Sequence, residues 1–390
     1  MNVVQSESLN KTDRLRYRND ITMKRLFLLC TLLAFLMAGC TKDEGGTPPP
    51  QGPLPIQDGV LPVIFHVLYD DANDPKQNMD AALIHRRIEQ LNRFYANTLF
   101  DTEQIHGIPN QTVPVQFVAA THDPDGNSLP EPGIDRVHYA GALNMDFEWF
   151  LNSDRELKPR DLSILWPTDR YVNIWLFQFR SSDDPALDQS LTTGASYTPF
   201  CTSAHPLSKL PMWNNAWYYQ PNYMHGMALN SYYFNRETEH PLDDGGMLTL
   251  CHEMGHYLGL LHVFAYGDEE PGTDPADNAS DDGCTDTPKY DRETYQEWLS
   301  SLDMSDPLQW GTAHYRIPSD GGEPFLSVNI MDYYMSYRTN ITAQQKARIE
   351  HVLHYCPWIP RSEESNQVLM RQLSKAGRSS GERPRPILLR

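Results

Sequence analysis

The sequence predicts an α/β (α+β) domain built on a mixed, twisted sheet, and three observations carry that expectation. A β-branched apolar strand opens the folded part, an amphipathic helix follows it directly, and a long apolar helix comes late, after further strands. The opening strand is Leu61-Pro62-Val63-Ile64-Phe65-His66-Val67-Leu68-Tyr69, whose composition suits a buried strand. Beyond the turn residues Asp70 to Pro75, Ile84, Ile88, Leu91 and Tyr95 lie on one helical stripe, which predicts a helix packed on the sheet. Val113, Val115, Phe117 and Ala119 alternate as a second strand. Tyr171 to Phe177 is apolar on both faces, as a central strand is, and Gly226 to Phe234 reads as one more strand.

Of 390 residues, 40% are hydrophobic, enough for one large core or two modest ones. The 51 acidic and 32 basic residues give a formal charge of -19, which repels nucleic acid phosphates and anionic headgroups, so a DNA or RNA partner is set aside. No internal repeat is present.

Met23 is followed by Lys24 and Arg25, an apolar run from Leu26 to Ala38, then Gly39 and Cys40, the order of a secretory signal peptide. The run is too short to cross a bilayer as a helix. Residues 1–22 then read as an over-extended start. Leu36-Met37-Ala38-Gly39-Cys40 resembles the lipobox of bacterial lipoproteins, which implies lipid on Cys40 and a signal peptide over 1–39. An ordinary cleaved signal with a chance cysteine is the rival. Thr41-Lys42-Asp43-Glu44 resembles the signal that carries some Bacteroidota lipoproteins to the outer surface, so the expected location is the outer membrane, surface-exposed or facing the periplasm.

A Gly- and Pro-rich stretch over 40–58 reads as a tether. The folded part is expected as an N-terminal subdomain over 59–258 and a C-terminal one over 259–360, with a polar, basic mobile tail over 361–390 that holds at most one short helix. Cys201, Cys251, Cys284 and Cys356 belong to the mature fold, and one or two bridges at most are expected, with the pairing open.

Positions 252–262 read HEMGHYLGLLH, preceded by apolar Met247-Leu248-Thr249-Leu250-Cys251. His252 and His256, four apart on a helix, share one face, so both imidazoles reach one ion while Glu253 projects beside it. Gly259 supplies the backbone freedom for a sharp stop that brings His262 in as third ligand. Zinc with three neutral nitrogens keeps a fourth position for water and lowers its pKa to about 7, with Glu253 as general base. The identities and spacings arise by chance in roughly one chain in ten thousand. A core helix with satisfied histidines leaves a costly set of buried polar groups, and a structural zinc site has no use for Glu253.

HExxHxxGxxH resembles the metzincin metallopeptidases, which also carry a methionine turn beneath the metal. Val328-Asn329-Ile330-Met331-Asp332-Tyr333 is similar to that turn in the pappalysin, or cytophagalysin, branch. The resemblance implies that Met331 packs under the histidines and that Tyr333 hydrogen-bonds the tetrahedral intermediate. Core packing is the plain alternative for both, and Tyr334 is the rival tyrosine. Asp282-Gly283-Cys284-Thr285-Asp286-Thr287-Pro288 is similar to the branch's CxxDTP stretch, one residue shorter. There the family cysteine bridges to one just past the methionine turn, where this chain has Arg338. Cys356 or Cys251 are the substitutes. With the opening strand, its helix and Gly133-Ile134-Asp135-Arg136, the similarity runs from about residue 59 to residue 355.

Asp268, Glu269, Glu270, Asp274, Asp277, Asp281, Asp282 and Asp286 crowd the segment 268–286, and relatives bind calcium nearby; a solvated acidic loop is the other expectation. The resemblance implies a two-part zincin fold with the peptide between the parts, paired to an edge strand expected near Gly226 to Phe234. The expected activity is zinc-dependent endopeptidase action on protein or peptide. The rivals are a silent surface-binding lipoprotein on the same fold and a zinc amidase acting on cell-wall peptide.

Overall fold

The computed structural model describes residues 59–152, 155–211, 224–238, 242, 244–265, 282–361 and 387–389. The expected signal peptide, Cys40, the tether and the carboxylates from Asp268 to Asp281 lie outside the described residues.

Along the chain run strand β1 (Val60–Tyr69), helix α1 (Ala81–Tyr95), and strands β2 (Gln116–Ala119), β3 (Ile134–His138), β4 (Val172–Phe177), β5 (Gly194–Ser196) and β6 (Met227–Asn230). Helix α2 (Gly245–Tyr257) follows, then β7 (Phe264–Ala265), β8 (Tyr290–Asp291), helix α3 (Arg292–Ser300), β9 (Tyr315–Arg316), β10 (Phe325–Leu326), helix α4 (Ala343–Tyr355) and β11 (Ile387–Leu389). The main sheet has the order β11-β5-β6-β4-β1-β2, with β3 also paired to β1. Strands β2 and β3 share one side of β1 end to end, β2 opposite Val60 to Val63 and β3 opposite Phe65 to Tyr69. All of these pair in parallel except β5 and β11, each antiparallel to its neighbour, so the sheet is mixed as predicted.

Alternation along β1 divides the core. Val63, Phe65 and Val67 pack with Ile84, Ile88 and Leu91 of α1 and with Met247, Leu250 and Met254 of α2. Leu68 belongs to the opposite face, with Phe150, Trp175 and Phe177. Every residue of β4 is buried, as its unbroken apolar run requires of a central strand. Among the described residues no helix is long and apolar enough to cross a membrane.

Two expectations need correction. The stretch from Gly226 to Phe234 is not the sheet edge: only Met227–Asn230 is strand, and it lies between β4 and β5. The Asn230 side chain then accepts the Tyr232 N–H and caps a short helix, Ser231–Phe234, which ends the strand there. Nor is the end of the tail region without structure. Ile387, Leu388 and Leu389 pair antiparallel with Ser196, Ala195 and Gly194, three branched apolar residues inside an otherwise polar, basic stretch.

Candidate metal centre

Helix α2 is anchored before it is functional. Its N-cap, Asp244, accepts the Met247 N–H at 3.0 Å and takes Nη1 of Arg87 at 2.5 Å, both side chains buried. Arg87, on α1, also donates to the carbonyls of Phe234 and Arg236. Tyr95, on the same helix, donates its hydroxyl to the Cys251 carbonyl at 3.0 Å. The histidine helix is therefore pinned at its start and middle by α1, the helix that the apolar stripe predicted.

The helix ends as the sequence predicts. Leu260 N–H donates to Gly255 O and Gly259 N–H to His256 O, both at 2.9 Å, the paired bonds of a Schellman stop. Gly259 has φ +91°, and a Cβ there would meet Val352 of α4 at 2.6 Å, so glycine is demanded by both backbone and packing. Arg348 of α4 donates to the Gly259 carbonyl through Nε and Nη2 at 3.2 and 3.1 Å. The chain then turns back and delivers His262.

The three imidazoles converge. Nε2 of His252 lies 3.1 Å from Nε2 of His256 and 3.2 Å from that of His262, and the latter two are 3.1 Å apart. His252 donates its Nδ1–H to Ile330 O at 2.7 Å and His256 to Leu260 O at 2.8 Å, which fixes the tautomers and turns the Nε2 lone pairs inward. A tetrahedral ion with nitrogens at about 2.0–2.1 Å holds them roughly 3.3 Å apart, so the spacing fits zinc and leaves an open position. Burial, then the nearness of His256 and His262, holds His252 well below the usual imidazole range, and burial takes His262 down to about 3. Neutral rings are the ligand form. Among the described residues, these three form the one cluster of histidine, cysteine and carboxylate groups with metal-binding spacing.

Glu253, fully buried, lies against β5: a Cβ on Gly194 would meet its Oε1 at 2.7 Å. Sequence reasoning missed Gly194, since a three-residue Gly-Ala-Ser strand has no apolar alternation to reveal it. The segment around Met331 packs against the histidine helix. Met331 is buried with its sulfur against Gly255, and its carbonyl accepts the Val263 N–H at 3.4 Å, tying the turn to the third-ligand segment. Tyr333 is 3% exposed, its ring 4.8 Å from that of His262 and 5.9 Å from that of His252, whereas the rival Tyr334 is 67% exposed. The Arg292 guanidinium lies over the Tyr333 ring at 5.0 Å, and Asp332 accepts from Tyr290, Ser327 and the Tyr333 N–H while facing Arg316 at 3.3 Å. These supports carried no spacing signal, because they come from separate elements.

Cys201, Cys251, Cys284 and Cys356 are buried, and among the described residues no disulfide joins them. The thiols of Cys201 and Cys356 are within hydrogen-bonding reach of each other, and Cys284 stands with them around Arg348 rather than near Arg338. Of the acidic segment, Asp282 and Asp286 are described, and both are engaged as acceptors, from Thr287 and Cys284 and from Thr342 and Gln344.

Part of the chain matches a known family model. Residues 207–354 match the peptidase family M43 model described as Pregnancy-associated plasma protein-A. Similar solved structures include mirolysin in complex with compound 9, 20% identical with TM-score 0.48 over 82% of this chain and 100% of that one. Tannerella forsythia mature mirolysin in complex with a cleaved peptide is also 20% identical, with TM-score 0.47 over 83% and 100%. No curated protein sequence matches. The segment 207–354, which carries the three histidines, Glu253, Met331 and Tyr333, is the part of the chain that matches this peptidase family model.

Proposed function

We propose that the chain is a zinc-dependent endopeptidase in which His252, His256 and His262 hold the metal and Glu253 is the general base. The observation that carries this is the inward convergence of three Nε2 atoms within 3.2 Å, beside a buried carboxylate. Zinc supplies a Lewis acid and lowers the pKa of water to about 7. Glu253 takes the proton from the attacking water and passes it to the departing amine. The Tyr333 hydroxyl donates to the oxyanion as it develops, and Arg292 holds that ring in place. Met331 gives the triad a soft apolar floor.

Peptide bonds, rather than another amide, are favoured by the antiparallel strand β5 beside Glu253, whose side away from β6 suits an extended main chain. Casein cleavage by the zinc-loaded chain, lost in Glu253→Gln with zinc still bound, is the expected result. Equal binding without cleavage in both forms would favour the silent binder, and cleavage confined to cell-wall peptide would favour the amidase.

We also propose that the protein is exported and anchored through lipid on Cys40. Incorporation of labelled palmitate, abolished by Cys40→Ala, tests this.

A further inference from the structure

We propose that residues 387–389 occupy the substrate's strand position, so that the chain's own distal segment competes with peptide for the active-site edge. This rests on the metallopeptidase reading above. Strand β5 is the antiparallel strand that touches the base: Gly194 has no side chain, and Glu253 fills the space where one would be. The outer edge of that strand is the place where an extended peptide gains main-chain hydrogen bonds with its backbone alongside the carboxylate. In this structure β11 holds that edge. Ile387 is opposite Ser196, Leu388 opposite Ala195, and Leu389 opposite Gly194, so the pairing runs up to the residue in contact with Glu253. The backbone of helix α2 passes close to β11 as well as to β5.

The local sequence suits an occupant that can be displaced. Ile-Leu-Leu has strand-forming side chains, and Pro386 just before it brings no N–H to a ladder. The pairing is three residues long, the short end of the strand range, so few main-chain hydrogen bonds hold it. Because it is tethered, it competes at an effective concentration in the millimolar range, which weakens the apparent affinity of an incoming peptide by the fraction of time the edge is held.

The test uses the zinc-loaded full chain carrying Glu253→Ala, and the same chain ending at Pro386. The probe is a fluorescein-labelled peptide of the sequence 381–390, followed by anisotropy. The chain ending at Pro386 is expected to bind it at least about ten times more tightly, and the amides of 194–196 are expected to exchange with deuterium faster there than in the full chain. Equal affinity in the two chains, or equal exchange at 194–196, would overturn the proposal. Neither chain can hydrolyse the probe, so the outcome is independent of whether the wild-type protein cuts peptides.

Discussion

The sulfur of Met331 lies so close to the α-carbon of Gly255 that a methyl group on Gly255 would meet it at 2.5 Å. Gly255 sits in the turn of α2 that carries His252 and His256, so the floor of the centre is set by a glycine within the motif. On helix propensity alone, Gly255→Ala should stabilise α2 by about 1 kcal/mol. The contact reverses that sign: overpacking should destabilise by about 1–3 kcal/mol and weaken zinc binding with it. Urea unfolding of the variant and a chelator competition assay read both quantities. A stabilised Gly255→Ala with unchanged zinc affinity would show that Met331 is not packed there.

Gly194→Ala tests the seat of Glu253. The backbone at Gly194 is ordinary strand, so alanine adds no backbone strain, but its Cβ would press on Cγ and Oε1 of Glu253, both at 2.7 Å. The expected result is a fall in kcat/KM of about 10²-fold or more, the scale of a displaced general base, together with about 1–3 kcal/mol of lost stability from overpacking. Full activity in this variant would place the base elsewhere.

Asp244 and Arg87 form a buried pair at the start of the histidine helix. Asp244→Ala removes the cap and leaves a guanidinium uncompensated, at a cost of about 3–5 kcal/mol. The double variant Arg87→Met with Asp244→Asn should recover most of that stability, because the stranded charge is gone and the cap remains. Double-mutant unfolding data settle it: additive losses would mean the pair does not couple.

Burial pushes Asp282 up to about 6, so the folded state binds its proton more tightly than the unfolded chain does. The sign follows. This contribution is fully present below the unfolded value near 4 and is lost as pH rises through 6. Asp282→Asn removes the titration, so its stability relative to wild type should climb between pH 4 and pH 7, by at most about 3 kcal/mol. A difference that does not vary with pH would contradict the burial of the charged form.

The convergence of the three histidines was legible in the sequence because its geometry is local. Four residues of helix stack His252 on His256, and one glycine sets the turn to His262, so spacing alone encodes the site. The helix α1 was legible for the same reason, through its stripe. What spacing could not encode is the company each element keeps across the sheet. Gly226 to Phe234 has the composition of a strand but not the signature of an edge, and it proved to be interior. The strand Gly194–Ser196 has too little side chain to show a pattern, and Ile387–Leu389 is hidden in a basic stretch. Arg292 beneath Tyr333 and Arg316 beside Asp332 are likewise distant in sequence and visible only once the turn is folded.

Zinc K-edge absorption of the zinc-loaded full chain tests the centre most directly. The expected shell is three imidazole nitrogens at about 2.0–2.1 Å and one further light-atom ligand, with no sulfur. A shell with fewer than three imidazoles, or with a cysteine thiolate among the ligands, would contradict it.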